Sequence, residues 1–166
     1  MHKRFTVFAI VLALGSFLAF GESYAIKGML TPPNSLIANA GLGLGYATGV
    51  GVGGGIEYVI GTFTIDERLP FTYGAAGRAG LALGVGRVDI SAGVLGTVHF
   101  AWSSLELPEK VRWLSNLDSY IGIGIAILPS PNLSSIGGSS YFLSKNLAIN
   151  LEGGLSASYI GVLFKL

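Results

Sequence analysis

From Ser35 to Tyr46 the chain sets bulky apolar side chains at every second position, Leu42, Leu44 and Tyr46, with Gly41, Gly43 and Gly45 between them. A period of two belongs to an extended strand whose faces meet different surroundings. The alternation returns along the chain in segments of about ten residues, each closed by turn chemistry. It predicts eight strands, over 35–46, 50–65, 71–84, 88–101, 118–127, 136–143, 147–153 and 157–166. Between them stand Ala47-Thr48-Gly49, Asp66 to Pro70, Val85-Gly86-Arg87, Pro129 to Asn132, and Ser144-Lys145-Asn146, all rich in turn formers. The expected fold is all-β, an eight-stranded antiparallel up-and-down transmembrane β-barrel forming one domain.

A helical membrane protein is the natural rival, because Gly28 to Ile56 carries no charge and is long enough to span. Its glycines decide against a helix. Eight fall between Gly41 and Gly55, and each costs a helix interior about 1 kcal/mol relative to alanine. Their two-residue spacing also misses the three-and-four repeat of a helix face.

Sorting each strand into two faces gives the barrel an inside. In the fourth strand Ile90, Ala92, Val94, Val98 and Phe100 share one face, opposite Asp89, Ser91, Gly93, Thr97 and His99, with Leu95 the bulky exception. The fifth opposes Ile121, Ile123, Ile125 and Ile127 to Asp118, Tyr120, Gly122, Gly124 and Ala126. The seventh opposes Leu147, Ile149 and Leu151 to Ala148, Asn150 and Glu152. Continued round the chain, this places a charge network of Glu57, Arg78, Asp89, His99, Asp118, Glu152 and Lys165 in the lumen. Buried charges of both signs tend to pair, because an isolated one is costly to desolvate. Glu57 and Arg78, on neighbouring strands, are the expected pair, and an ion-pair gate is the functional counterpart of such pairing. Two strands resist sorting: Val59 and Phe63 share the Glu57 face, and the sixth strand's facing is ambiguous.

The other inward positions are small: Gly41, Gly43, Gly45, Gly74, Ala76, Gly80, Ala82, Ser91, Gly93, Gly122 and Gly124. Eight strands enclose an interior that side chains only just fill. So small a set is expected to leave room for water, a narrow pore, a ligand or an inserted segment such as Ile26 to Asn34.

The N-terminus adds a compartment. Met1-His2-Lys3-Arg4 is a basic head, Phe5 to Phe20 an apolar run, and Gly21 to Ala25 a polar tail with small residues at Ser23 and Ala25. This is the pattern of a cleavable signal peptide over 1–25, with the barrel domain over 26–166. Composition agrees with a membrane destination: 51% hydrophobic residues, 11% charged and a mean hydropathy of +0.63. Removing Lys3, Arg4 and Glu22 from totals of 10 basic and 9 acidic residues leaves the mature chain formally neutral. No basic footprint for nucleic acid exists. The chain has no cysteine, which excludes disulfides and thiol chemistry. With His99 the one mature histidine, no zinc ligand set is legible, and no cofactor or metal is expected. Gly51 to Ile56 lacks the GK[ST] ending of a phosphate loop and reads as strand glycine.

At the C-terminus, Tyr159, Gly161, Phe164 and Leu166 place an aromatic, a glycine two residues later and apolar residues at the end. This resembles the terminal-strand signal read by the assembly machinery of bacterial outer-membrane barrels. Tyr141 to Glu152 resembles the strand, tight periplasmic turn and strand of small barrels. With the signal peptide, these motifs make the mature chain similar to the eight-stranded class typified by OmpA and OmpX. It departs from that class in ending on Leu166, where an aromatic is more usual. The resemblance implies a bacterial outer-membrane location, with outer-membrane lipid, periplasmic chaperones and the barrel-assembly machinery as partners. It also implies a C-terminus on the periplasmic side, which puts Asp66 to Pro70, Trp102 to Leu117 and Ser144 to Asn146 there. Tyr73, Phe100, Trp102, Tyr141 and Phe164 would then form an interfacial belt, against chiefly Tyr46 at the opposite rim.

The longest connection, Ser103 to Asn116, contains Leu107 to Leu114 with Pro108 at a helix start, and predicts one or two helical turns. An interfacial tether carrying Trp113 is the expected role, ahead of a lid on the periplasmic mouth or a partner contact. Catalysis has little support. His99 has Ser103 nearby, but Asp89, ten residues back on the same strand, lies about 33 Å away and cannot orient it. The functional expectation is therefore a structural barrel or narrow, porin-like pore and not an enzyme. A lipid-modifying enzyme using His99 and a barrel binding a small hydrophobic ligand are the alternatives.

Overall fold

The computed structural model describes residues 29–45, 49–66, 68–155 and 157–166. The signal peptide expected over 1–25 and Tyr46 lie outside these. Eight antiparallel strands follow the chain in order: β1 Leu36–Gly45, β2 Gly49–Ile65, β3 Leu69–Gly84, β4 Arg87–Ala101, β5 Leu117–Leu128, β6 Asn132–Phe142, β7 Leu147–Gly154 and β8 Ala157–Lys165. Each pairs with the next and β8 pairs with β1, so the sheet closes into an up-and-down barrel. The even number brings the start of β1 and the end of β8 to one end, here the terminal end. The connections β2–β3, β4–β5 and β6–β7 share it, and the others cross the far end.

Closure needs tight curvature, and glycine supplies it at the β1–β8 seam. Gly41 faces Gly161 and Gly43 faces Tyr159 across that pair. A Cβ on Gly161 would lie 1.9 Å from the Ala40 carbonyl oxygen, and one on Gly43 1.8 Å from that of Ser158. Only glycine permits this approach, a backbone kink of the kind that lets a sheet close.

The second strand's mixed facing has a local cause. Val59 pairs with Gly74, but Gly61 pairs with Tyr73, leaving Ile60 as an extra residue in a β-bulge. The insertion resets the alternation. Val59 points inward with 0% exposure, whereas Phe63 opposes Phe71 and turns outward, the two rings stacked with centroids 5.3 Å apart. The sixth strand begins at Asn132, four residues earlier than expected, and its facing is settled: Ile136, Ser140 and Phe142 are buried while Leu133 and Ser135 are exposed.

At the terminal end the chain preceding β1 enters the lumen. Thr31 is buried, and Leu30 packs against Ile37, Val59, Phe142, Ala148 and Leu163. The Asn34 N–H donates to the Val59 carbonyl at 2.8 Å, and the Val59 N–H donates to that of Ser35 at 2.9 Å. The connection after β4 does not close this mouth. It forms two 3-10 segments, Trp102–Ser104 and Glu109–Asn116. Leu105, Leu107, Leu114 and Leu117 pack there with Leu69, Phe71, Phe100 and Trp102, on the outward faces of β3 to β5.

Candidate functional site

Across the middle of the lumen the inward polar residues of six strands meet in one hydrogen-bonded layer. Arg78 on β3 is its hub. Its Nε donates to Glu152 Oε2 on β7 at 3.0 Å, its Nη2 to Glu57 Oε2 on β2 at 3.1 Å, and its Nη1 to the Ile56 carbonyl at 3.3 Å. The guanidinium fork thus bridges two carboxylates on opposite sides of the barrel. Glu57 also accepts from Thr97 Oγ1 and faces His99 Nε2 at 2.6 Å. The other ring nitrogen, Nδ1, lies 3.0 Å from Asp118 Oδ2 on β5. Both ring nitrogens thus face carboxylate oxygens, one from β2 and one from β5.

Neighbouring residues complete the layer. The Tyr120 hydroxyl is 2.8 Å from Glu152 Oε2 and 3.0 Å from Asn150 Oδ1, which also accepts from Ser140 Oγ at 2.9 Å. The Tyr120 ring stacks on His99 at 5.0 Å. From the terminal end, Thr31 Oγ1 donates to Asp118 Oδ2 at 3.1 Å, so the inserted segment is pinned to the same network. Glu57, Arg78, His99, Asp118 and Glu152 are all buried.

Two of the seven expected network charges are corrected. Asp89 is inward but sits at the far rim, paired with Arg87 two residues before it, well removed from the layer. Asp89 opposes Ala82 of β3, but the pairing of β4 with β5 begins only at Ala92, so this end of β4 extends past β5. Lys165 lies at the terminal mouth, its Nζ donating to the Leu30 carbonyl at 2.8 Å and 5.6 Å over the Phe142 ring. It holds the inserted segment and makes no direct bond to the layer.

Of the uses expected for the small lumen residues the structure shows the inserted segment, through Leu30 and Thr31, and not an open pore, because side chains take the remaining space. The glycines are seats for large side chains. A Cβ on Gly53 would meet the Tyr159 ring at 2.5 Å, one on Gly80 the Tyr159 hydroxyl at 2.4 Å, and one on Gly138 the Tyr120 ring at 2.6 Å. Gly122 lies under Ile136 and Gly45 against Ala82, while Gly41 and Gly124 lie against the backbones of β8 and β4. One cavity, between Asn39, Gly53, Glu152, Tyr159 and Gly161, has a volume of about 10 Å³, room for one water. The buried Asn39 Oδ1 and Tyr159 Oη, neither with a protein partner, are the polar atoms such a water would satisfy.

The C-terminal residues divide by face. Tyr159 fills the lumen, Gly161 lies in the seam, and Phe164 and Leu166 are exposed on the outside. Thr97, Tyr120 and Asn150 are inward in the sequence pattern without being marked as network members, Ser140 lies on the strand whose alternation is ambiguous, and Thr31 precedes β1. Their convergence depends on barrel stagger.

The outer wall is the opposite of the lumen. Leu42, Leu44, Val52, Ile56, Leu83, Ile90, Val94, Ile121, Ile123, Ile125, Leu151 and Ile160 are all exposed. Among the described residues, no strand presents a charged side chain outward between its two rims. The class so defined is a closed eight-stranded barrel, apolar outside and polar within. No family model matches the chain, and no curated protein matches it. A solved structure from the de novo design of transmembrane β-barrels is similar in fold, with a TM-score of 0.59 and 20% identity over 83% of this chain and 100% of the designed one.

Proposed function

We propose that this protein is an integral outer-membrane barrel with a closed lumen, serving a structural role. One observation carries the reading: a predominantly apolar outer wall, with no charge between its rims among the described residues, surrounds a lumen crossed by a hydrogen-bonded ionic layer and filled by tyrosines. Exposed apolar surface of this extent is unstable in water and suits a hydrocarbon surround. A conducting path would need an open polar channel, and the layer of Glu57, Arg78, His99, Asp118 and Glu152, with Tyr120 and Tyr159, occupies that cross-section. The arrangement favours static ion pairing over a gate. It also weighs against catalysis, because both nitrogens of His99 are engaged by carboxylates and neither faces a nucleophile. In this reading the chain is exported behind its signal peptide, escorted by periplasmic chaperones and inserted by the barrel-assembly machinery.

The test is made on the purified protein refolded into phosphatidylcholine vesicles. Folded barrel is expected to migrate differently on a detergent gel before and after boiling, and to give no reproducible unitary conductance in a planar bilayer. Steady single-channel steps from heat-shifted protein would replace the structural role with a pore.

A further inference from the structure

We infer that the connection between β4 and β5 is a membrane-seated foot, which lies against the outer wall and rests Trp113 in the headgroup region of the lipid bilayer. This rests on the membrane reading of the barrel and adds where one segment sits and what it touches.

The segment turns outward, away from the lumen. Its apolar residues pack on Phe71 and Phe100, which face out of β3 and β4, and bury Phe100 and Trp102 to 5% and 6% exposure. The Trp102 indole N–H donates to Ser119 Oγ at 3.1 Å, and Ser119 Oγ lies 3.2 Å from Ser139 Oγ. These two serines are polar groups on the mostly apolar outward faces of β5 and β6, at the end the foot covers, and they are part-buried there. Such satisfaction matters most where no water can reach.

Beyond that contact the segment is two-natured. Trp113 is 58% exposed on the same 3-10 segment as Glu109, Lys110 and Arg112, with Arg112 Nη1 bonded to Glu109 Oε1 at 3.2 Å. The charges missing from the outward strand faces thus collect here, beside an exposed indole. Phe63, Tyr73, Leu143, Phe164 and Leu166 are exposed at the same end, so Trp113 continues a rim of large apolar groups. A ring with an apolar body and one N–H, flanked by charges of both signs, suits the boundary between headgroups and acyl chains. The occupant is therefore lipid, in preference to a protein partner.

The chain has two tryptophans, which makes the test direct. Trp102→Phe leaves Trp113 as sole reporter, and the difference between the unaltered protein and Trp113→Phe gives the same signal should Trp102→Phe fail to fold. Each is refolded into vesicles of phosphatidylcholine brominated at the 6,7 or the 11,12 acyl positions. Seating at the boundary predicts blue-shifted Trp113 emission, and quenching about twofold stronger from the shallow bromines than from the deep ones, as for a group 5–10 Å into the interface. Emission typical of indole in water, quenched by acrylamide and untouched by either bromine, in protein that still shows the heat-dependent gel shift, would overturn the foot and leave the barrel reading intact. Shielding from acrylamide and bromine alike would assign Trp113 to a protein contact and equally reject lipid. Protein that neither shifts on heating nor floats with vesicles would overturn the membrane reading and the foot together.

Discussion

Arg78 neutralises two carboxylates that approach from opposite walls, Glu57 at 3.1 Å and Glu152 at 3.0 Å. Replacing it with glutamine leaves the two acids buried without their cation, a loss of about 3–5 kcal/mol for a broken buried ion pair. The expected result is a lower urea midpoint in vesicles with conductance unchanged, since Tyr120 and Tyr159 still fill the lumen. New unitary currents in Arg78→Gln would mean the pair is a gate. A second residue-scale test concerns volume. Gly53→Val drives methyl groups into the Tyr159 ring and is expected to cost about 1–3 kcal/mol by overpacking. Adding Tyr159→Ala should recover most of that loss, and a Gly53→Val barrel as stable as the parent would show that the lumen has slack. The sequence disclosed the Glu57–Arg78 pair because adjacent strands place them two register steps apart. It concealed Glu152 and His99 as their partners, and Asp118 as the partner of His99, since contacts across a lumen depend on the stagger of the whole barrel. It also invited glycine to be counted as empty space, when the room at Gly53, Gly80, Gly122 and Gly138 is used by a tyrosine or isoleucine side chain and that at Gly41 and Gly124 by neighbouring backbone.

At the scale of the strand, period two made nearly every facing legible, and the failure in β2 marks an insertion that alternation cannot reveal; a second, at Ile127 of β5, lies too close to the strand's end to disturb its pattern. A bulge adds a residue without a partner, so bulky residues on both sides of it read as one face when they occupy two. Because Ile60 is that extra residue, deleting it should leave Val59 inward and Phe63 outward, and the variant should retain the heat-dependent gel shift. Deleting Val94 from the regular part of β4 has the opposite consequence. Every residue on one side of the deletion changes face, bringing either Ile90 or Phe100 inward and His99 or Asp89 outward. That variant is expected to refold poorly or not at all. Equal refolding of both deletions, measured by the fraction of shifted band, would show that facing does not govern assembly. The connection after β4 was legible as a short helical turn from Pro108 and the apolar spacing. Its 3-10 geometry and its packing on the outer wall were not, because both depend on Phe71 and Phe100 presenting a surface to lie on.

On the scale of the whole barrel, the walls are unequal. β2 and β3 run for 17 and 16 residues, whereas β7 and β8 have 8 and 9. Outward apolar positions on β4 extend from Val88 to Phe100, roughly 30 Å along the barrel axis at 3.3 Å per residue and a strand tilt near 40°. On β7 they extend from Leu147 to Leu151, about 10 Å by the same geometry. A bilayer with a uniform core near 30 Å matches the β2–β4 side and overhangs the β7–β8 side, which must be met by thinning or by tilting the barrel. Most of the aromatic rim and the foot stand on the tall side, with Phe63, Phe71, Phe100, Trp102 and Trp113 carried by β2, β3, β4 or the segment after β4, against Phe164 on β8. They anchor that wall and leave the short wall to take up the mismatch. Refolding should therefore depend on lipid length. The heat-shifted fraction is expected to fall from dilauroyl to dioleoyl phosphatidylcholine vesicles, by a factor of several, because mismatch costs fractions of a kcal/mol per Å over the whole short side. Extending β7 and β8 outward by two apolar residues each, at the terminal rim, should remove most of that dependence. Refolding that is indifferent to chain length in the parent protein would mean that the short wall is covered by something other than lipid, for which a second copy of the chain would be the first candidate to test by cross-linking.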